Sequence, residues 1–119
     1  MTEAVKLDFA KMDGLVPAIV QDAKTLEVLM VGFLNEASYA KTLETGFVTF
    51  WSRTRQKLWM KGETSGNRLR VIDAATDCDQ DTLLFRVQVE GDGLVCHEGT
   101  ASCFTRPIPV GATVGGEVR

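Results

Sequence analysis

The sequence has no long hydrophobic run, no even set of cysteines and no excess of positive charge. Its longest uninterrupted apolar stretch, Val28 to Leu34, is seven residues even counting Gly32, against the roughly 20 that a membrane-spanning helix needs. A helical membrane protein is therefore excluded. The first residues carry Glu3, Lys6, Asp8 and Lys11 in place of an apolar segment, so no secretory signal is expected. Three cysteines is an odd number, which argues against a disulfide framework. These absences point to the cytoplasm, where thiols stay reduced. Thirteen basic residues against sixteen acidic leave a net charge of −3, so nucleic acid is not an expected partner. There is a single histidine, His97, and any acid–base role for an imidazole falls on it.

At 119 residues the chain has the length of one domain and can bury a core without staples. Residues 1–14 read as a polar lead-in that ends at the turn pair Asp13-Gly14. Ala18 to Asp22 and Val28 to Leu34 are β-rich, and Ala23-Lys24-Thr25 between them is short enough for a hairpin. Asn35 can cap a helix that Gly46 stops, with Tyr39, Ala40 and Leu43 on one face. Phe47 to Ser52 reads as a strand that Leu58 to Met60 extends or pairs with, and Gly62 to Asn67 as a loop. Arg68 to Ala75 alternates as a strand: Leu69, Val71 and Asp73 fall on one side, Arg70 and Ile72 on the other. Thr82 to Glu90 is the last strand, turned by Gly91-Asp92-Gly93, and Pro107 to Arg119 reads as a mobile tail. The expected fold is a single small α+β domain over residues 1–119, with mostly antiparallel β-strands and one main helix.

Three segments carry chemistry. Cys78, Cys96 and Cys103 are the only cysteines, and the last two sit among Gly, Ser, Thr, His and Glu, not in an apolar run. Thiolates are strong zinc ligands, and three protein ligands leave the open fourth position of a catalytic site. Buried apolar thiols are the plain alternative. His97 could close the site, but it adjoins Cys96, and consecutive strand side chains point to opposite faces.

Asp77-Cys78-Asp79-Gln80-Asp81 places carboxylates at every second position, the oxygen donors that a hard cation such as Mg²⁺ takes. An EF-hand loop is excluded, because the sixth position is Thr82 and the twelfth Gln88. On a straight strand Asp77 and Asp81 would stand about 13 Å apart. Either the chain bends sharply here or fewer than three carboxylates bind directly. Strict alternation would also set Cys78 on the face opposite the aspartates.

Residues 53–61 hold four cations, Arg53, Arg55, Lys57 and Lys61, and no acid. Arg offers a bidentate fork to phosphate and Lys a point charge. The loop Gly62 to Asn67 follows with Thr64, Ser65 and Gly66, whose hydroxyls and open backbone N–H groups also suit phosphate. It is not a Walker loop, since no Gly-Lys-Ser/Thr has the spacing. Trp51 and Trp59 either stack on a base or belong to the core.

Taken together these segments resemble the phosphoribosyl-AMP cyclohydrolase family. The matching pieces are Phe50-Trp51-Ser52-Arg53 with Gln56-Lys57-Leu58-Trp59, then Lys61-Gly62-Glu63-Thr64-Ser65-Gly66-Asn67, then Asp77-Cys78-Asp79-Gln80-Asp81, and Cys96-His97 with Ser102-Cys103-Phe104. The likeness runs from about Leu15 to Arg106. Met60 stands where family members often carry His, and Glu98 where Thr is common. The resemblance implies an intertwined homodimer with one zinc per subunit, in which Cys78 of one subunit joins Cys96 and Cys103 of the other. It implies Mg²⁺ on Asp77, Asp79 and Asp81. The implied substrate is 1-(5-phosphoribosyl)-AMP, whose adenine ring opens between N1 and C6, and the implied substrate contacts run through Trp51, Ser52, Arg53, Arg55, Lys57, Lys61, Thr64, Ser65, Gly66 and Asn67.

The chemistry fits these residues. The ribosyl group on N1 already makes C6 electrophilic, so the requirement is hydroxide at neutral pH, and zinc lowers the pKa of bound water to around 7. Three thiolates donate heavily and weaken the metal as an acid, so a nearby base helps. His97 is the candidate for that proton, the alternative being that it orients Cys96 or caps its loop. A nucleotide deaminase would attack the same carbon, but the Pro-Cys-x-x-Cys half of its zinc signature is absent. A non-enzymatic zinc module would need a fourth protein ligand.

Overall fold

The structure, a computed structural model, describes residues 6–111. Six strands and one helix follow in the order β1 (Val16–Asp22), β2 (Val28–Leu34), α1 (Glu36–Thr45), β3 (Thr49–Ser52), β4 (Lys57–Met60), β5 (Leu69–Thr76) and β6 (Leu83–Val89). The α+β class holds. Four strands form one sheet in the order β2-β1-β6-β5, and β3 and β4 form a separate hairpin. Within the large sheet β1–β2 and β5–β6 are antiparallel, whereas β1 and β6 pair in parallel, Ala18 opposite Leu83 and Asp22 opposite Val87.

Burial alternates along the central strands as a half-covered sheet requires. Val16, Ala18 and Val20 of β1 and Leu83, Phe85 and Val87 of β6 are buried, and Leu29, Leu34, Val48, Phe50 and Leu69 close over them. Phe50 and Phe85 are the largest fully buried side chains, each worth about 1.5–3 kcal/mol by burial. Within the small hairpin the Phe50 ring packs on Trp59, with 5.2 Å between ring centres, and the burial of Phe50 in the core ties the hairpin to the large sheet.

Helix α1 is bounded as its sequence indicates. The Asn35 Oδ1 accepts from the Ser38 N–H at 2.9 Å, the Ser38 Oγ accepts from the Asn35 N–H at 3.0 Å, and Gly46 ends the helix in the left-handed region. The helix presents a different face to the core than its apolar stripe would. Ser38 and Thr42 are buried, while Leu43 is 60% exposed, Ala40 is exposed and Tyr39 is half-buried. Thr42 makes this tolerable, because its Oγ1 donates to the Ser38 carbonyl and accepts from the Thr49 N–H, both at 2.9 Å. Leu43, Tyr39, Leu7, Ala74 and Ala75 instead line an apolar groove of about 240 Å³ on the outside.

A bulge corrects the strand reading of residues 68–75. The β5–β6 register shifts between Val71 and Asp73, so Ile72 drops out of the ladder. Asp73 is thereby moved to the outer face, where its Oδ1 accepts from Arg86 Nε at 2.7 Å. Short 3-10 geometry over Phe9–Met12, absent from the sequence reading, closes the lead-in. Pro107 to Gly111 are exposed and irregular, and the rest of the expected tail lies outside the described residues.

Candidate active site

The β5–β6 ladder has two ends, and the chemistry-bearing residues divide between them. At one end the chain leaves β5 at Thr76 and turns through Asp77 to Asp81 before entering β6. Asp77 Oδ1 accepts from the N–H groups of Asp81 and Thr82, at 3.0 and 3.2 Å, and Gln80 takes positive φ to complete the turn. The hydrogen bond from the Asp81 N–H is the main reason the Asp77 carboxyl lies below its usual range. This turn brings carboxylate oxygens of Asp77, Asp79 and Asp81 within 4.8 Å of one another. The 13 Å separation of a straight strand is therefore overturned, and the sharp bend is the correct alternative. Oxygen ligands at about 2.1–2.5 Å from one hard cation need this kind of clustering, so the donor set fits Mg²⁺. Alternation fails here for the same reason. Cys78 is not on a face opposite the acids, and its thiol lies 3.8 Å from Asp79 Oδ1.

Lys11 was not singled out in the sequence reading, yet it reaches this turn. Its Nζ lies 3.3 Å from Asp81 Oδ2 and donates to the Asp79 carbonyl. The hydrogen bond with Asp81 raises the Lys11 pKa. No sequence signal marks this pairing, which spans 70 positions.

At the other end, past Val89, lie Cys96, His97 and Cys103. The Cys96 N–H donates to the Thr100 carbonyl at 3.0 Å and the Cys96 carbonyl accepts from the Gly99 N–H at 2.9 Å, forming a tight loop. Cys103 is pinned from a different strand, its N–H donating to the Leu29 carbonyl at 2.8 Å, with Ser102 Oγ on the Val28 carbonyl at 2.8 Å. The two thiols are near enough to act on each other. A hydrogen bond from the Glu98 N–H is the main cause of a lowered Cys96 pKa, with Thr100 and Cys103 contributing. Burial and then the charge of Cys96 raise Cys103, against the pull of Lys61.

Cys96 and exposed His97 line a cavity of about 300 Å³ together with Lys61, Gly62, Ser65, Asn67, Leu94, Val95 and Gly99. The basic hairpin thus contributes Lys61, whose Nζ also lies 5.7 Å from the centre of the Trp59 ring. Arg53 and Arg55 sit in the turn at the hairpin's far end, roughly 10 Å further along. There Arg53 stacks on Phe33 at 4.4 Å. Trp51 and Ser52 lie on β3, half-buried, and Lys57 is exposed on β4. Thr64 and Gly66 are exposed in the loop beside Ser65. A larger cavity of about 560 Å³ lies by the β1–β2 turn. It has no thiol or imidazole, and its one carboxylate, Asp22, accepts from the turn's own Lys24 and Thr25 N–H groups.

The thiols do not converge within one chain. Cys78 lies in the turn before β6 and Cys96 and Cys103 in the chain after it, and among the described residues only Asp77, Asp79 and Asp81 gather closely enough to hold one ion.

The sequence pattern of the phosphoribosyl-AMP cyclohydrolase family matches residues 30–105, the span that holds both clusters and the cavity. The chain belongs to this family. Relatives named phosphoribosyl-AMP cyclohydrolase from Solibacter usitatus and Desulfatibacillum aliphaticivorans are both 56% identical to it, over 107 and 100 residues. These alignments cover 90% and 84% of this chain, and 84% and 79% of the relatives. The histidine biosynthesis bifunctional protein HisIE of Escherichia coli is 58% identical over 99 residues, 83% of this chain and 48% of that longer protein. The cyclohydrolase family's sequence likeness thus takes in Cys78, Cys96 and Cys103 alike. Among the described residues, no helix is long and apolar enough to cross a membrane.

Proposed function

We propose that this chain hydrolyses the N1–C6 bond of the adenine ring in 1-(5-phosphoribosyl)-AMP. The product is the formimino-aminoimidazole carboxamide ribotide, a step of histidine biosynthesis. One observation carries the reading: in a chain of this family, a thiol, an imidazole, a lysine and a hydroxyl-bearing loop line one cavity.

Zinc on Cys96 and Cys103, with Cys78 supplied by a second subunit, would acidify the attacking water. Two features support the homodimer: the thiols of one chain stand too far apart for one ion, and the groove of Tyr39, Leu43, Ala74 and Ala75 leaves apolar surface uncovered. Asp77, Asp79 and Asp81 would hold Mg²⁺, whose positive charge would offset that of the carboxylates and of a substrate phosphate. His97, exposed at the cavity wall next to Cys96, takes the proton from the water that adds to C6. The electron pair of the breaking C6–N1 bond moves to N1, which is protonated as the ring opens. Lys61 and Ser65 take substrate phosphate oxygens, while Trp51, Ser52, Arg53, Arg55, Lys57, Thr64 and Gly66 form the outer substrate surface, completed in the dimer.

The test is a spectroscopic turnover assay with phosphoribosyl-AMP, with and without a zinc chelator. Turnover that the chelator abolishes and zinc restores is expected. Absence of turnover with zinc and magnesium supplied would overturn the reading.

A further inference from the structure

We infer that Asn67 is a positioning residue whose carboxamide latches the loop carrying Cys96 and His97 onto the loop carrying Ser65. The inference rests on the cyclohydrolase reading of the cavity that these two loops form.

The β5–β6 ladder ends at Leu69 opposite Val89, and the Glu90 N–H still donates to the Arg68 carbonyl at 2.8 Å. One step further the backbones part, and the Asn67 side chain takes over. Its Nδ2 donates to the Leu94 carbonyl at 2.9 Å, and its Oδ1 accepts from the Asp92 N–H at 3.1 Å. One carboxamide thus satisfies a backbone acceptor and a backbone donor on the same loop, which an ionised carboxylate, having no donor, cannot do. Leu94 is two residues from Cys96.

The surroundings are built for this contact. Gly91 has φ +69, and a Cβ there would overlap Asn67 Oδ1. Gly62 has φ +83, and a Cβ there would overlap the Asn67 carbonyl. Both glycines supply positive φ and the space that lets the loops close. Asn67 is held in turn by its neighbours: its N–H donates to Ser65 Oγ at 3.2 Å. The adjacent Arg68 binds Glu90 Oε1 through Nε and Nη2 at 3.2 and 3.0 Å, with its guanidinium 4.1 Å from the Phe47 ring centre. Residues 90–96 contain no strand or helix. Their other ties include the Arg70 hydrogen bond to Glu90 at 2.7 Å, Gly93 N–H to the Glu90 carbonyl at 3.4 Å, the bonds of Cys96 with Gly99 and Thr100, and the buried Val95. Asn67 is the side chain that bridges the wall carrying Lys61 and Ser65 to the loop that leads into Cys96 and His97.

A phosphate ligand and a latch leave different traces. Losing a ligand raises KM with little change in kcat, whereas displaced catalytic groups lower kcat, by about 10²-fold for a shift near 1 Å. The experiment compares the full-length protein with Asn67→Ala, Asn67→Asp, Gly91→Ala and the Asn67→Ala/Gly91→Ala double variant. It measures kcat and KM for phosphoribosyl-AMP, the denaturation midpoint, and hydrogen exchange of the Asp92 amide without substrate. Faster Asp92 exchange is expected in Asn67→Ala, which loses both hydrogen bonds, with kcat down by roughly 10–10²-fold and KM nearly constant; Asn67→Asp keeps the acceptor for the Asp92 N–H but loses the donor to the Leu94 carbonyl, so its kcat should fall with Asp92 exchange little changed. Gly91→Ala, which leaves Asn67 in place, should act as Asn67→Ala does, and the double variant should be no worse than the poorer single one, because both break one contact. Unchanged Asp92 exchange in Asn67→Ala overturns the latch, as does a raised KM with intact kcat, and so does faster exchange with native kcat. If the unsubstituted protein shows no turnover, the cyclohydrolase reading fails instead, and Asp92 exchange alone decides whether the latch exists.

Discussion

Mixing two inactive variants tests whether the zinc ligands meet across a subunit boundary. Zinc–sulfur bonds of about 2.3 Å require three sulfurs within roughly 4 Å of one another. In one chain the three thiols are not gathered that closely: among the described residues only the carboxylates of Asp77, Asp79 and Asp81 are. A two-fold dimer resolves this by pairing unlike ends, which yields two equivalent sites. Cys78→Ser and Cys96→Ser subunits should each be inactive alone. Refolded together at equal amounts, half of the dimers are mixed. Each mixed dimer joins the intact Cys78 of one subunit to the intact Cys96 and Cys103 of the other, restoring one of its two sites. Turnover should recover to about one quarter of the unsubstituted value, with bound zinc recovering in step. Mixing Cys96→Ser with Cys103→Ser should recover nothing, because both lesions fall on the same half of the site. If the first mixture stays inactive while its subunits demonstrably exchange, the ligands do not meet in trans.

Five other outcomes follow from the geometry. Lys61→Ala should raise KM by about 10- to 150-fold, the worth of one charge-assisted bond, while His97→Ala should lower kcat by about 10²–10⁴-fold. Thr42→Val leaves the buried Thr49 N–H without its acceptor and should cost about 1–3 kcal/mol in chemical denaturation, whereas Thr42→Ser should cost less; equal stability of the valine variant would contradict the assigned hydrogen bond. Partial burial pushes the Glu90 carboxyl up, but Arg70 and Arg68 outweigh it and hold its pKa below the usual carboxylate range. Its stabilisation is therefore present above that range and lost as pH falls through the lower folded value, so Glu90→Gln should flatten the acid limb of the stability–pH curve. Lys11→Met removes a cation from beside Asp81 and should tighten Mg²⁺ binding in titration calorimetry, with weaker binding as the contrary result.

What the sequence displayed was local chemistry. Asn35, Ser38 and Gly46 bound the helix through contacts three or four residues apart, and such signals are readable because both partners are close in the chain. The β1–β2 hairpin was legible for the same reason. Parallel pairing of β1 with β6 had no such signal, since its partners lie about sixty positions apart. At Ile72 a single bulge inverted the alternation that had put Asp73 inward. The aspartates were recognisable as a cation cluster, yet strand spacing misplaced them because the Asp77 carboxylate folds the chain onto itself. In the cavity, Lys61, Ser65, Asn67, Cys96 and His97 do come together. Arg53 and Arg55 do not, because the hairpin carries them to its tip.

The parallel β1–β6 pairing also orders events during synthesis. Strand β1 ends at Asp22, and its second neighbour begins only at Leu83, 61 positions later. At about 5–20 residues per second, a ribosome needs roughly 3–12 s to make that stretch. During this time β1 has β2 on one side and an open edge on the other, with Val16, Ala18 and Val20 uncovered by Phe85 and Val87. An open edge next to apolar side chains is a template for pairing with another chain. The vulnerable species in the life of this protein is therefore the nascent N-terminal hairpin, and slower translation between codons 23 and 83 lengthens its exposure.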